Sequence, residues 1–282
     1  MNTLIRIACD LSERGCISAE DFDAASEFFG REGEMRAKAQ KFIGEGKFSS
    51  SDLKEKLAVT LCAADIARVR YAERGIPESI FYDTMSDIGV WTAQARRDGE
   101  GEGLSNTPWL LHHVRLELFK LGRLQFQPIK RPVILDMGCA LKIARMLPKL
   151  CLNVHIPRGG RLDLSACEAS LYGAPMFFEK YFRQSYSAFC CLSWLLYPGN
   201  KAFMKEKSNI LAFSRLFEVI GEKKYDGDAL YYIFGARKID QKSITPQTSL
   251  QASALEYYKS GGSFGLGFGV RNAQKSRRGE GK

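Results

Sequence analysis

The chain of 282 residues holds 41 Lys and Arg against 32 Asp and Glu, a formal net charge of +9, with 45% hydrophobic and 26% charged residues. That balance excludes an intrinsically disordered chain, and no apolar run approaches the ~20 residues that a membrane-spanning helix needs. The first residues reach Asp10 and Glu13 without a cleavable apolar segment, so a cytoplasmic location is expected.

The excess of positive charge is unevenly placed. Residues 271–282 carry five basic side chains and one acid, nearly half of it, behind the glycine-rich stretch Gly261-Gly262-Ser263-Phe264-Gly265-Leu266-Gly267-Phe268-Gly269. This composition predicts a flexible basic tail over 260–282. The body keeps a modest surplus suited to an acidic small molecule, and no nucleic-acid recognition motif accompanies it. The eight cysteines form no CxxC pair, so no metal site is expected and the thiols are read as reduced.

Helical periodicity dominates the first part. Ser18-Ala19-Glu20-Asp21 reads as an N-cap and acidic first turn, leading into a helix through Phe28 and Phe29. A second helix is expected over 32–43, ended by Gly44 and Gly46. A third starts at Ser51-Asp52, with Leu53, Leu57, Leu61, Ala64 and Ala67 at helical spacing. After the break Gly75-Ile76-Pro77, one helix carries Ile80, Phe81, Met85, Ile88 and Trp91. The acidic glycine loop at 98–103 is a connector, and a further helix is expected over 109–121, stopped by Gly122.

Strand patterns then take over, at 123–129, 132–136 and 152–157. The continuous apolar run 189–196 suits a central buried strand. A helix over about 201–219 and a last strand over 229–234 are expected to follow. Between the third strand and the next helix lies Arg158-Gly159-Gly160-Arg161. Glycines admit close approach of backbone N–H groups to an anion, and the arginines supply charge, so this loop reads as a phosphate cradle. Ser165 is read as the cap of the helix that follows, kinked or split near Gly173 and Pro175.

Several motifs stand out together. They are Leu121-Gly122-Arg123-Leu124-Gln125-Phe126; His155-Ile156-Pro157 with Gly159-Gly160, Leu162-Asp163 and Cys167; and Ser170, Ala174, Phe177-Phe178 and Tyr181-Phe182. Cys191-Leu192-Ser193-Trp194-Leu195-Leu196 and Ser208-Asn209-Ile210 with Phe213 complete the set. In this order they resemble the GNAT-type acyl-CoA N-acyltransferases. The likeness is greatest to a bacterial branch in which a helical acyltransferase N-terminal domain precedes a GNAT-like C-terminal domain. The resemblance implies an α/β (α+β) fold with a helical domain at 1–121, a GNAT-like mixed sheet with flanking helices at 122–259, and the tail. It implies an acetyl- or acyl-CoA co-substrate, no metal, and a small-molecule or peptide amine as acceptor. The coenzyme would lie along Val154 and Ile156, with its diphosphate on Arg158, Gly159, Gly160 and Arg161, and Asn209 nearby.

Two departures from the family pattern stand in the sequence. The loop glycines are adjacent rather than spaced. Leu216 and Phe217 occupy the place, seven residues beyond Asn209, where a tyrosine acid is often found. Tyr197, just after the apolar strand, is then the candidate acid. His155 reads either as general base or as a structural histidine, with Asp136 and Glu168 as weaker candidates for the base. Arg158 and Arg161 either grip phosphate or are solvated turn charges. The alternative function is a non-catalytic GNAT-like module that binds CoA or a protein partner. A more distant rival is a nucleic-acid protein acting through its tail.

Overall fold

A computed structural model describes residues 2–48, 50–130, 148 and 150–273. The expected strand at 132–136, Asp136 and the charges beyond 273 lie outside the described residues. The chain forms two compact units: Met1–Gln127 with Ile156–Gly160, and Pro128–His155 with Arg161–Lys282.

The first unit is helical, with α1 (Thr3–Glu13), α2 (Ala19–Ser26), α3 (Glu32–Glu45), α4 (Leu53–Glu73), α5 (Glu78–Met85), α6 (Asp87–Arg97) and α7 (Thr107–Val114). The Ser18 cap is a reciprocal capping box. Its hydroxyl accepts from the Asp21 N–H, and the Asp21 carboxylate accepts from the Ser18 N–H. Asp52 caps α4, accepting from Lys54 and Glu55. The stripe read on α4 understates it. Every residue of 57–64 is buried, because α1, α2, α3, α5 and α7 all pack around this helix. The single helix expected from Ile80 to Trp91 is two, divided at Ser86, whose hydroxyl turns back to the Asp83 carbonyl at 2.6 Å.

The helix expected over 109–121 ends at Val114. Leu116 turns into a left-handed conformation (φ 59°), and β1 (Phe119–Leu121) pairs antiparallel with β2 (Leu124–Lys130). Gly122 is the first residue of the hairpin turn rather than a helix stop. Its φ of 69° is what a tight two-residue turn between twisted strands requires.

The second unit contains β3 (Leu150–His155), α8 (Leu164–Phe182), β4 (Ala188–Ser193), α9 (Asn209–Ser214), β5 (Glu218–Lys224), α10 (Asp226–Phe234), α11 (Ser249–Lys259) and β6 (Gly265–Asn272). The strand order of the mixed sheet is β1-β2-β3-β4-β6-β5, with β3 and β4 parallel and β6 antiparallel to both of its neighbours. A helical region followed by a mixed sheet with flanking helices is the fold class the sequence implied.

Four local readings are corrected here. Residues 201–219 are not one helix. A 3₁₀ turn at Pro198–Ala202 is followed by α9, capped by Ser208, and then by the edge strand β5, whose charged residues hid it. Residues 229–234 are helical, because Ala229, Leu230 and Ile233 form one buried stripe behind Asp226 and Asp228, and Gly235 closes the helix at φ 87°. Of the two alternatives for α8, the split one is overturned, since a single helix runs through Pro175, and its cap is Asp163 rather than Ser165. The glycine-rich stretch is no tail. Gly265–Asn272 is β6, an interior strand between β4 and β5.

The glycines of β6 recur every second residue for a steric reason. A Cβ on Gly265 would stand 2.4 Å from the Tyr197 ring, one on Gly267 would stand 2.3 Å from the Leu196 carbonyl oxygen, and one on Gly269 would stand 2.7 Å from Phe217 Cβ. The turn after β4 lies directly on the strand, and only glycine leaves room for it. Arg271, read as a tail charge, is half-buried in β6 and donates to the Leu216 carbonyl at 3.1 Å. Burial lowers its pKa, as expected for a guanidinium withdrawn from water.

Candidate functional site

Among the described residues, the parallel ladder between β3 and β4 joins Leu152 to Phe189 and Asn153 to Cys190 and no further pair. Past that point β4 stays paired with β6 through Ser193, while Val154 and His155 continue β3 without a partner in β4. The two strands therefore part at their C-terminal ends, the end of a parallel pair where α/β proteins place ligands. Val154 is buried at this end and His155 half-buried.

His155 is held by its neighbour. Asn153 Nδ2 lies 3.0 Å from His155 Nε2, and Asn153 Oδ1 faces the Cys190 thiol at 3.7 Å. In this chain Cys190 donates to the amide oxygen and the amide nitrogen donates to the ring. The lone pair a general base would use is thus the one that Asn153 addresses. Burial pushes the Cys191 thiol up to about 12, and Cys190 is raised further, first by its hydrogen bond with Cys151 and then by burial, so both are thiols rather than nucleophiles.

Tyr197 follows the 3₁₀ turn Trp194–Leu196 and is buried against Gly265 and Gly199. With Leu196, Pro198, Lys201, Leu211 and Phe217 it lines a cavity of about 270 Å³. Burial, then the Glu222 carboxylate, raise its phenol against a lowering hydrogen bond from Ser263. Such a group keeps its proton at neutral pH and can only donate it. Asn209 is the exposed first residue of α9 and does not line this cavity.

The loop of arginines and glycines is divided. Residues Ile156–Gly160 count with the helical unit and Arg161 with the other. Gly159 and Gly160 have φ of 87° and 71°, conformations that glycine adopts without strain. Arg158 and Gly159 line a cavity of about 450 Å³ in the helical unit, together with Ser18, Gly89, Arg96 and Arg97. A Cβ on Gly89 would stand 2.4 Å from the Cys16 carbonyl oxygen, so α6 packs straight onto the turn before α2. Asp21 is fully buried and accepts from Arg96 Nη1 at 2.5 Å, Thr92 Oγ1 at 2.8 Å and the Ser18 N–H at 3.0 Å. These contacts fix Arg96 at the cavity wall. Cys16 also lines it as a protonated thiol, raised to about 11 by burial and then by the Asp10 and Asp83 carboxylates.

Sequence reasoning missed Arg96 and Arg97. Their only signal was adjacency in the last turn of a helix, where basic residues ordinarily complement the helix dipole. Among the described residues, no cluster of His, Cys, Asp and Glu is arranged to hold a metal ion, and no helix is long and apolar enough to cross a membrane.

Residues 118–271 match the family model for the GNAT-like C-terminal domain, more than half of the chain. The chain belongs to this GNAT-like family. In front of that domain, residues 24–116 match the model for the N-acyltransferase N-terminal domain. Among curated proteins, none matches the sequence. Solved structures similar to the GNAT-like chain include an acyltransferase in complex with decanoyl-CoA and teicoplanin, at 21% identity and a TM-score of 0.75, covering 94% of this chain and 87% of that one. The acyltransferase in complex with CoA and 10C-teicoplanin gives 20% identity and a TM-score of 0.76 over 94% and 87%. The decanoyl-CoA complex gives 23% and 0.73 over 94% and 86%. At this identity the likeness establishes the shared fold.

Proposed function

We propose that the protein is an N-acyltransferase that moves an acyl group from acyl-CoA to an amine acceptor. The observation that carries this reading is the parting of β3 and β4 beyond Asn153 and Cys190, in a chain whose sheet belongs to the GNAT-like family. In this reading the pantetheine arm follows the freed end of β3 at Val154 and Ile156, and Asn209 is a further coenzyme-binding residue. Arg158, Gly159, Gly160 and Arg161 face the phosphates. The neutral amine attacks the thioester carbonyl carbon, the carbon–sulfur bond breaks, and the coenzyme leaves as a thiolate. Tyr197, whose phenol stays protonated, donates the proton the thiolate takes up. His155 takes the proton lost by the amine, directly or through water, once its ring gives up the Asn153 hydrogen bond that occupies the Nε2 lone pair. A strand N–H aimed at the developing oxyanion contributes about 2.7–4 kcal/mol in such sites.

The similar solved acyltransferases carry decanoyl-CoA and teicoplanin, which makes a medium-length acyl chain and an amine on a small molecule the first substrates to try. The seven described cysteines are all unbridged, in keeping with a bacterial cytoplasm. A second reading, a CoA-binding module without catalysis, is favoured by Leu216 standing where the family often carries its tyrosine acid.

Thiol release from octanoyl- and decanoyl-CoA across a panel of aminosugars, glycopeptides and peptides separates the two. Tyr197→Phe is expected to lower kcat roughly 10²- to 10⁴-fold while CoA still raises the melting temperature. A thermal shift with no thiol release from any amine would support the binding module. No shift with any CoA ester at millimolar concentration would sink both, since a ligand at a hundredfold excess over Kd stabilises by about 2.7 kcal/mol.

A further inference from the structure

We propose that helix α6 completes a phosphate site, with Arg96 and Arg97 joining Arg158 and Gly159 around one phosphate group of the coenzyme. This rests on the acyl-CoA reading and extends it to residues that the family motifs do not reach.

The first reason is that the obvious anion position is already taken. The N-terminus of α8 is occupied by the Asp163 carboxylate, which accepts from the Ala166 N–H at 2.9 Å and from the Ser165 hydroxyl at 2.6 Å. The Ser165 and Ala166 hydrogen bonds hold that carboxyl below the usual carboxylate range, so it remains an anion. A second anion placed there would meet like charge.

The second reason is the composition of the cavity that Arg158 and Gly159 do line. Its wall carries three arginines against one carboxylate, Asp21, which is already committed to Arg96, Thr92 and Ser18. No atom lies within 4 Å of a Cβ built on Gly159, so the backbone there is open to close approach. A guanidinium pinned by a buried carboxylate loses little freedom on binding and keeps several N–H donors for a ligand. A phosphate matches this wall in charge and hydrogen bonding, whereas the cationic form of an amine acceptor would be repelled. At about 450 Å³ the space exceeds one phosphate and leaves room for the ribose beside it.

The test is calorimetric titration of the full chain with CoA, dephospho-CoA and pantetheine. Arg97 is suited to substitution because it is exposed and donates to Gln94 Oε1 at 3.0 Å on its own helix. Arg97→Gln should weaken CoA binding roughly 10- to 100-fold, leave pantetheine affinity unchanged and melt at the wild-type temperature. Arg97→Lys should recover part of the loss. A loss confined to CoA assigns the site to the 3′-phosphate, and an equal loss with dephospho-CoA assigns it to the diphosphate. If wild type binds CoA and Arg97→Gln binds all three ligands equally well, the proposal is overturned and the acyl-CoA reading stands. If wild type binds no CoA, both fall.

Discussion

Ending the chain after Ser260 should abolish cooperative folding of the second unit. The cut removes β6, an interior strand whose ladder pairs Ala188 to Asn272 through Ser193 to Gly267 on one side and Glu218 to Val270 through Lys224 to Gly265 on the other. It also removes Phe264 and Phe268, both buried, and truncating one buried phenylalanine typically costs about 3–5 kcal/mol. Losing both, with two rows of backbone hydrogen bonds, exceeds the ~5–15 kcal/mol by which domains are stable. A single substitution tests the same geometry more finely. Gly267→Val sets a branched side chain where even a Cβ meets the Leu196 carbonyl oxygen at 2.3 Å, so the turn or the strand must move. The matched control is Gly173→Ala in α8, where the added methyl meets nothing within 4 Å and helix propensity favours alanine by about 1 kcal/mol. Urea unfolding should therefore move in opposite directions for the two variants. A soluble 1–260 fragment with a sharp native transition in this unit would refute the placement of β6.

The second large effect lies in the helical unit. Asp87, at the start of α6, is 3% exposed, and His113 of α7 is fully buried. His113 Nε2 stands 3.0 Å from Asp87 Oδ2, and the same oxygen accepts from Trp109 Nε1 at 2.7 Å and Trp91 Nε1 at 3.2 Å. The other ring nitrogen of His113 faces the Trp109 carbonyl at 3.2 Å. Removing the Asp87 carboxylate strands the buried groups it serves, His113 and the two indole N–H donors, at about 1–3 kcal/mol for each group left unsatisfied. Asp87→Ala should lose that much, and Asp87→Asn somewhat less, because the amide oxygen can still accept from an indole. Burial alone would raise the Asp87 carboxyl, but the His113 hydrogen bond and charge, with the Trp109 hydrogen bond, bring it below its ordinary value. A carboxyl lowered on folding stabilises fully above its unfolded pKa of about 3.9 and loses that contribution as pH falls through the lower folded value. Wild type should thus lose helical stability below about pH 4, and Asp87→Asn, weaker at neutral pH, should show a flatter acid limb. Equal acid limbs in circular dichroism would contradict this account.

What the sequence disclosed depended on the range of the interactions involved. Caps are written locally, and Ser18 with Asp21 and Asp52 with its following N–H groups were legible because a short polar side chain acts within three residues. The run at 189–196 was legible as a strand only as far as Ser193, because an interior strand has little but apolar neighbours, whereas Trp194–Leu196 is an equally apolar 3₁₀ turn. Gly265, Gly267 and Gly269 were misread because their cause is not local. Tyr197, Leu196 and Phe217, about fifty to seventy residues earlier, take the space a side chain would need. Residues 229–234 failed for another reason, since a short apolar run satisfies both periods and only Asp226, Asp228 and Gly235 decide between them. In the candidate site, the loop at 158–161 was visible as glycine and charge. The arginines of α6 were not, because only folding brings residues sixty apart to one cavity wall.

The affiliation of Ile156–Gly160 with the helical unit has a genetic consequence. The N-terminal part of the coding sequence does not specify a complete unit, since it lacks a pentapeptide that the part after residue 127 encodes. A chimera that exchanged residues 1–121 for those of a relative would therefore keep a foreign insert in its helical unit. Working hybrids should be those in which residues 156–160 travel with the N-terminal segment.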